Sequence, residues 1–412
     1  MGIFSVISLL GGLSIFLYGM DIMGDGHKSS SSKALKSMLE KVTHSAVLGM
    51  LTGTLVTSVI QSSTATIVLT VGLLSAGILN LRQSISIVMG ANIGTTVTAQ
   101  IIRLMDINSS GAAFIEIFKP STLAPLAVLC GIIFLKFVKS QKTKGIGMML
   151  MGFGILFTGL MGMTEAVSPL SESQAFTDVL QKFSDVPILG ILTGLITTFI
   201  VQSSSAVIGM VQALSSTGAF TFQTVYPLII GINLGTCITT AIVCSIGTDK
   251  DAKRTGIAHI LFNCIGTVLF MAAIPLLHHA GALNFIWGKP MNSGGIANFT
   301  TIFNLVTAVA LLPFTNQLVK LTTLIVKDSP DDTEDFYPEM RTLDEKLFIS
   351  PALALHQVNI AEASMGRLAR KNFNRSIDQL VSYDPERSAR ISSAEDRLDG
   401  FTDAAENYLI KL

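Results

Sequence analysis

Two apolar stretches, 47–79 and 188–220, are each long enough to enter a bilayer and turn back, and each is broken at its middle by a polar string. The strings are Gln61-Ser62-Ser63-Thr64-Ala65 and Gln202-Ser203-Ser204-Ser205-Ala206, 141 positions apart. A second pair keeps that offset: Gly90-Ala91-Asn92-Ile93-Gly94-Thr95 and Gly231-Ile232-Asn233-Leu234-Gly235-Thr236. Hydrocarbon offers the backbone no hydrogen-bond partner, so a membrane chain stays helical except where it is buried in protein or lines a watery site. Polar clusters at that depth mark a site. Residues 49–99 and 190–240, aligned without gaps, share about 18 identities in 51 positions, concentrated on Gly, Thr, Gln, Ser and Asn. Phe16-Leu17-Tyr18-Gly19 resembles Leu156-Phe157-Thr158-Gly159, with a one-residue slip in the offset. The chain therefore reads as a duplication with one site at the repeat interface. Each broken stretch could instead be one long helix with a polar patch, but the recurrence in both halves favours a re-entrant hairpin with the Gln-Ser-Ser string at its tip.

The rest of the chain supports a membrane reading. Of 412 residues, 49% are hydrophobic and 14% charged, against about 25% charged in soluble domains. Charge is crowded after Lys327. Further stretches at 2–23, 83–103, 121–138, 145–163, 222–246, 255–277 and 298–318 are near the roughly 20 residues a spanning helix needs. The first lacks a basic n-region and a cleavage site, and reads as a retained helix. Lys28, Lys33, Lys36 and Lys41 follow it. Lys139, Lys142 and Lys144, then Lys250, Lys253 and Arg254, then Lys320 and Lys327 mark other basic loops. The loop between 163 and 187 carries Glu165, Glu172, Asp178 and Asp185 against Lys182 alone. The positive-inside rule then puts the N-terminus outside and the C-terminal helices in the cytoplasm. The same count brings the two hairpins in from opposite faces.

The expected fold is an all-α membrane protein: an inverted-repeat secondary transporter with two re-entrant helical hairpins and a short C-terminal helical region. Repeat 1 covers 1–144 (hairpin about 46–80), repeat 2 covers 145–326 (hairpin about 187–220), and 327–342 is an acidic linker. Residues 343–412 read as cytoplasmic helices of an incomplete domain, a surface for a homo-oligomer or a cytoplasmic partner. Leu353, His356, Ile360 and Met365 form one apolar stripe there; Leu398, Phe401, Ala405 and Leu409 form another. Residues 28–41 read either as an amphipathic interfacial helix or as a solvated linker.

A Ser-rich tip leading into a half-helix offers free N–H groups and the positive end of a dipole. Ser62, Ser63, Thr64, Ser203, Ser204 and Ser205 add hydroxyls. Two such ends facing each other would cradle a small oxyanion. No Lys or Arg lies near the expected centre, Arg82 and Arg103 falling at span ends, so a cation such as Na⁺ would supply the countercharge. No Asp or Glu is expected mid-span, and Asp21 reads as interfacial. Asn92, Thr95 and Thr98, mirrored by Asn233, Thr236 and Thr239, are either ion ligands or helix–helix glue. His259, Phe262 and Asn263, with Thr300, Phe303 and Asn304, read as bracing for the bundle. Cys130, Cys237, Cys244 and Cys264 have no metal or disulfide spacing. No transition metal, no cofactor and no enzymatic constellation is expected. The formal net charge of +0 argues against a nucleic-acid surface.

Paired Gln-Ser-Ser-hydroxyl strings, each followed by Gly-x-Asn-x-Gly-Thr, and two Phe-Asn helices resemble the type II sodium/phosphate cotransporter family over roughly residues 1–326. The stretch from Leu343 to Asp399 resembles the start of a PhoU-like domain. The resemblance implies sodium-coupled symport of inorganic phosphate across the cell membrane by alternating access. It implies phosphate at Gln61, Ser62, Ser63, Thr64, Gln202, Ser203, Ser204 and Ser205. It implies sodium at Gln202, Ser203, Asn233, Thr236 and Thr239, with Gln61, Asn92, Thr95 and Thr98 as a second set. Ile232 stands where some members carry Ser. A phosphate-responsive sensor, or a transporter of another small oxyanion, are the alternatives.

Overall fold

The computed structural model describes residues 3–40, 45–75, 78–106, 119–245, 250–327, 343, 345, 348 and 351–412. Among these the regular secondary structure is helical, apart from one isolated bridge between Thr221 and Pro290. Seven helices are long and apolar enough to cross a membrane: Ile3–Ser30, Leu81–Asp106, Pro120–Phe137, Lys142–Leu170, Phe222–Ser245, Lys250–His279 and Ser293–Ile325. They coincide with the seven stretches expected from the sequence. The acidic linker lies outside the described residues.

In chain order, α1 is Ile3–Glu40, α2 Ala46–Ile60, α3 Ser63–Ser75 and α4 Leu81–Ile102. Next come α5 (Pro120–Phe137), α6 (Gln141–Val167), α7 (Gln174–Asp185), α8 (Pro187–Val201) and α9 (Ser204–Ser215). The membrane part closes with α10 (Phe222–Ser245), α11 (Lys250–His279), α12 (Ser293–Leu311) and α13 (Thr315–Ile325). The C-terminal pair is α14 (Pro351–Val381) and α15 (Pro385–Lys411).

Glycines set how closely these helices approach. Gly12, Gly19 and Gly26 of α1 meet Gly159, Gly152 and Gly145 of α6, backbone to backbone. Numbers rise on one helix as they fall on the other, so the two run antiparallel. A Cβ on Gly26 would sit 2.6 Å from Gly145 O and Met149 N. The Gly-x-Asn-x-Gly strings do the same work elsewhere. Gly94 of α4 packs on Thr54 and Thr57 of α2, and Gly235 of α10 packs on Leu195 and Thr198 of α8, the same positions 141 residues on. Phe16, fully buried, reaches from α1 onto Gly209 of α9 and holds that arm against the α1–α6 seam.

Three expectations need correction. The first helix does not stop near 23 but runs unbroken to Glu40, because Gly24 and Gly26 lie in close helix contacts rather than in a turn. The acidic loop after α6 contains an amphipathic helix, α7. Its Phe176, Leu180 and Phe183 pack on the core around α10, and Ser184 Oγ bonds Thr224 Oγ1 at 2.8 Å. It meets α8 at a bend of 111°. In α14 the buried face is Ala354, Val358, Ala361 and Leu368, with Ile360 only half-buried; Leu409 of α15 is exposed. Leu368, Ala394 and Phe401 join α14 to α15, while Ala354, Val358 and Tyr408 pack against Val56, Ile60, Leu69 and Leu73 of α2 and α3.

Candidate functional site

Each polar string is a break between two short helices. Helix α2 ends at Ile60, Gln61 takes φ 60°, and α3 starts at Ser63; helix α8 ends at Val201, Gln202 takes φ 61°, and α9 starts at Ser204. These are the two non-glycine residues with positive φ among those described. The left-handed region costs a side-chain-bearing residue about 1–3 kcal/mol and persists only where its surroundings impose it. Here the Gln61 amide donates to Ser58 O and its Oε1 accepts from Thr98 Oγ1 at 2.6 Å. Across the first break Thr57 Oγ1 donates to Thr66 Oγ1 at 2.9 Å. Nine residues of continuous helix would put those positions about 13 Å apart, so the two arms turn back on each other.

The breaks differ in two respects. Val207 stands where the first repeat has Thr66, so Thr198 Oγ1 is buried without a partner. Thr239 donates to Thr236 O at 2.8 Å rather than to the Gln202 side chain, while Gln202 donates to Phe199 O at 3.3 Å as Gln61 does to Ser58 O.

Both breaks line one cavity of about 430 Å³. Gln61, Ser62, Ser63, Thr64 and Ala65 face it from one side, Gln202, Ser203, Ser204 and Ser205 from the other, with Thr236 between. Ser62 Oγ and Ser203 Oγ accept from Ala65 N (3.2 Å) and Ala206 N (3.3 Å), capping the second arms. The hydroxyls of Ser63, Thr64, Ser204 and Ser205 make no hydrogen bond among the described residues. Elsewhere in the bundle hydroxyls return to the preceding turn, as Ser58 does to Thr54 O (2.7 Å) and Thr70 to Thr66 O (2.7 Å). At the start of a helix that turn is missing. Four hydroxyls and two helix N-termini are thus left facing one cavity, an arrangement suited to an anion.

Of the sodium set, Gln61, Gln202, Ser203 and Thr236 line the cavity, and Asn92, Thr95, Thr98, Asn233 and Thr239 do not. Asn92 Oδ1 is 3.0 Å from His259 Nε2, and Asn233 Oδ1 accepts from Asn304 Nδ2 at 3.2 Å. Those bonds tie α4 to α11 and α10 to α12, in keeping with the bracing expected of His259 and Asn304. Gln212 holds α9 on its far side, donating to Ala99 O (3.1 Å) and Ser293 Oγ (2.8 Å).

The sequence reading missed one wall. Asp21, Gly24, Asp25 and Lys28 of α1 also line the cavity, and Lys28 Nζ lies 3.0 Å from Asp25 Oδ1. Two carboxylates and an ammonium therefore stand in the last third of the longer first span, on the cavity face. Their signal was the one-face spacing of 21, 24, 25 and 28, hidden by ending the span too early.

A duplicated site of this kind can be compared with known families. The profile of Na+/Pi-cotransporters matches twice, over residues 15–165 and 161–308. The chain belongs to the Na+/Pi-cotransporter family. Its double match follows the duplication. Among similar proteins, YqeW of Bacillus subtilis (strain 168) is 29% identical over 78% of this chain and 98% of its own. YjbB of Escherichia coli (strain K12) is 22% identical over 99% of this chain and 71% of its own. The human sodium-dependent phosphate transport protein 2B is 34% identical over 26% of this chain and 16% of its own. No solved structure matches. The family is one of transporters, which sets an enzymatic reading aside.

Proposed function

We propose that this protein carries inorganic phosphate across a cell membrane together with Na⁺. One observation carries the reading: two break points 141 residues apart present their unbonded hydroxyls to a single cavity. Phosphate is held by Ser63, Thr64, Ser204 and Ser205 and by the N–H groups of α3 and α9, with Gln61, Ser62, Gln202 and Ser203 shaping the tips. Hydroxyls suit phosphate in either protonation state because they both donate and accept. Sodium binds through Gln202, Ser203, Asn233, Thr236 and Thr239, and through Gln61, Asn92, Thr95 and Thr98 in the other half.

In this reading α2–α3 and α8–α9 are re-entrant hairpins of an inverted repeat, and rocking of the two halves gives alternating access. The N-terminus is outside and α14–α15 are cytoplasmic. The names of relatives are consistent with it: the human protein is a sodium-dependent phosphate transporter, and YjbB carries the provisional name of inorganic phosphate export protein. The test is ³²P-phosphate flux in proteoliposomes. Flux should collapse when K⁺ or choline replaces Na⁺, and flux indifferent to Na⁺ refutes coupling. Competition by sulfate or arsenate decides between phosphate and another oxyanion.

The packing of Ala354, Val358 and Tyr408 on α2 and α3 favours a regulatory role for the C-terminal pair. Removing residues after Lys327 should change flux; unchanged flux makes that pair an accessory.

A further inference from the structure

The charged wall on α1 sits oddly beside an anion cradle. Lys28 is paired with Asp25 at 3.0 Å, while Asp21 makes no ion pair or side-chain hydrogen bond among the described residues. Asp21 lies in the last third of the apolar stretch Ile3–Ser30 and is exposed on the cavity side. A carboxylate at such a position is tolerated where it meets water or a counter-cation. It faces the cavity that also receives the starts of α3 and α9, where a bound anion and this carboxylate would repel each other. A cation between them removes both difficulties.

The oxygens for one are at hand. Gly24, one turn after Asp21, lets α1 approach the end of α2 so closely that a Cβ there would lie 3.1 Å from Ile60 O. The last carbonyls of a helix lack intrahelical donors and carry the negative end of its dipole. Carbonyls at discontinuous helices are the oxygens that take alkali cations in transporters. Ser63, only 6% exposed and without a hydrogen bond, opens on the same cavity and points to a ligand there. We infer that Asp21 and the carbonyl end of α2 hold a monovalent cation, Na⁺, against the anion cradle. This is a site apart from the threonine and asparagine sets, and it rests on the anion reading of the cradle.

The full chain in nanodiscs tests it by ²²Na⁺ binding without phosphate, with ³²P-phosphate binding measured separately. Asp21→Asn should raise the Na⁺ concentration for half-occupancy by roughly ten- to a hundredfold, as loss of a charged ligand does, and Asp21→Glu should restore part of it. A second readout needs no variant: Na⁺, but not choline, should slow carbodiimide labelling of Asp21 in the unaltered protein, read by peptide mass. An Asp21→Asn protein with an unshifted ²²Na⁺ curve, or labelling indifferent to Na⁺, overturns the site. Loss of phosphate binding in the unaltered protein strikes the proposed function instead, and leaves the ²²Na⁺ result to decide this one.

Discussion

Gly235→Ala places a methyl group in a close helix contact of the second half. Its Cβ would lie 2.6 Å from Thr198 Cβ and 2.7 Å from Leu195 O. Ordinary contact begins near 3.4 Å, so α8 and α10 must separate by about 0.7 Å along a backbone contact that no rotamer can relieve. Overpacking of this kind typically costs about 1–3 kcal/mol. The displaced helix is the arm that ends at Gln202, and the residue after Gly235 is Thr236, which lines the cavity. The substitution should therefore lower the thermal midpoint in detergent and also weaken ³²P-phosphate binding at saturating Na⁺. Gly94→Ala, which meets Thr54 O and Thr57 Cβ at 2.6 Å, should do the same to the first half. Gly366→Ala in α14, where a Cβ meets nothing within 4 Å, should leave binding alone and add roughly 0.5–1 kcal/mol of helix stability. A Gly235→Ala protein with the unaltered protein's melting point and phosphate affinity would refute the idea that the Gly-x-Asn-x-Gly strings set the position of the tips.

Ser63→Ala and Ser204→Ala should each weaken phosphate binding by roughly ten- to a hundredfold, the value of a hydrogen bond to a charged group; Ser14→Ala, whose hydroxyl returns to Leu10 O on an exposed face, should not. Thr98→Val removes the bond that fixes Gln61 and should lower phosphate affinity about fivefold, whereas Thr239→Val, which has no such bond to Gln202, should have a smaller effect in the same assay. Thr198→Val replaces a buried hydroxyl that has no partner and should be neutral or stabilising in thermal melts, while Thr57→Val removes the bond to Thr66, whose hydroxyl keeps its bond to Ser62 O, and should destabilise by about 0.5–1.5 kcal/mol.

Much of this arrangement was legible in the sequence because the duplication prints it twice. The spans, the breaks at Gln61 and Gln202 and the pairing of the two strings follow from apolar length and the 141-residue offset. The wall formed by α1 did not follow. A window that ends where hydropathy falls near Met23 turns Asp21 into a terminal residue, and only the continuous helix puts it, Asp25 and Lys28 on the cavity face. The glycines and asparagines of the second string were legible as a motif but not as roles. A Gly in an apolar run says that something comes close without saying what. Asn92 and Asn233 needed His259 and Asn304, 167 and 71 positions away, before their part in bracing the bundle could be seen. The amphipathic α7 was obscured by its acidic residues, which drew attention to topology rather than to the Phe176, Leu180, Phe183 spacing.

The seam between α1 and α6 has a further consequence. Its glycines fall at 12, 19 and 26 on one helix and 145, 152 and 159 on the other, a heptad on each side. Gly19 meets Gly152 O and Gly152 meets Gly19 O, just as Gly12 and Gly159 do. Such reciprocity is the mark of an isologous contact, the kind that joins two copies of one chain. The covalent link between the halves is then not what holds them together at this seam. Residues 1–144 and 145–412, made as separate chains in one cell, should find each other through that glycine zipper and be recovered as a pair.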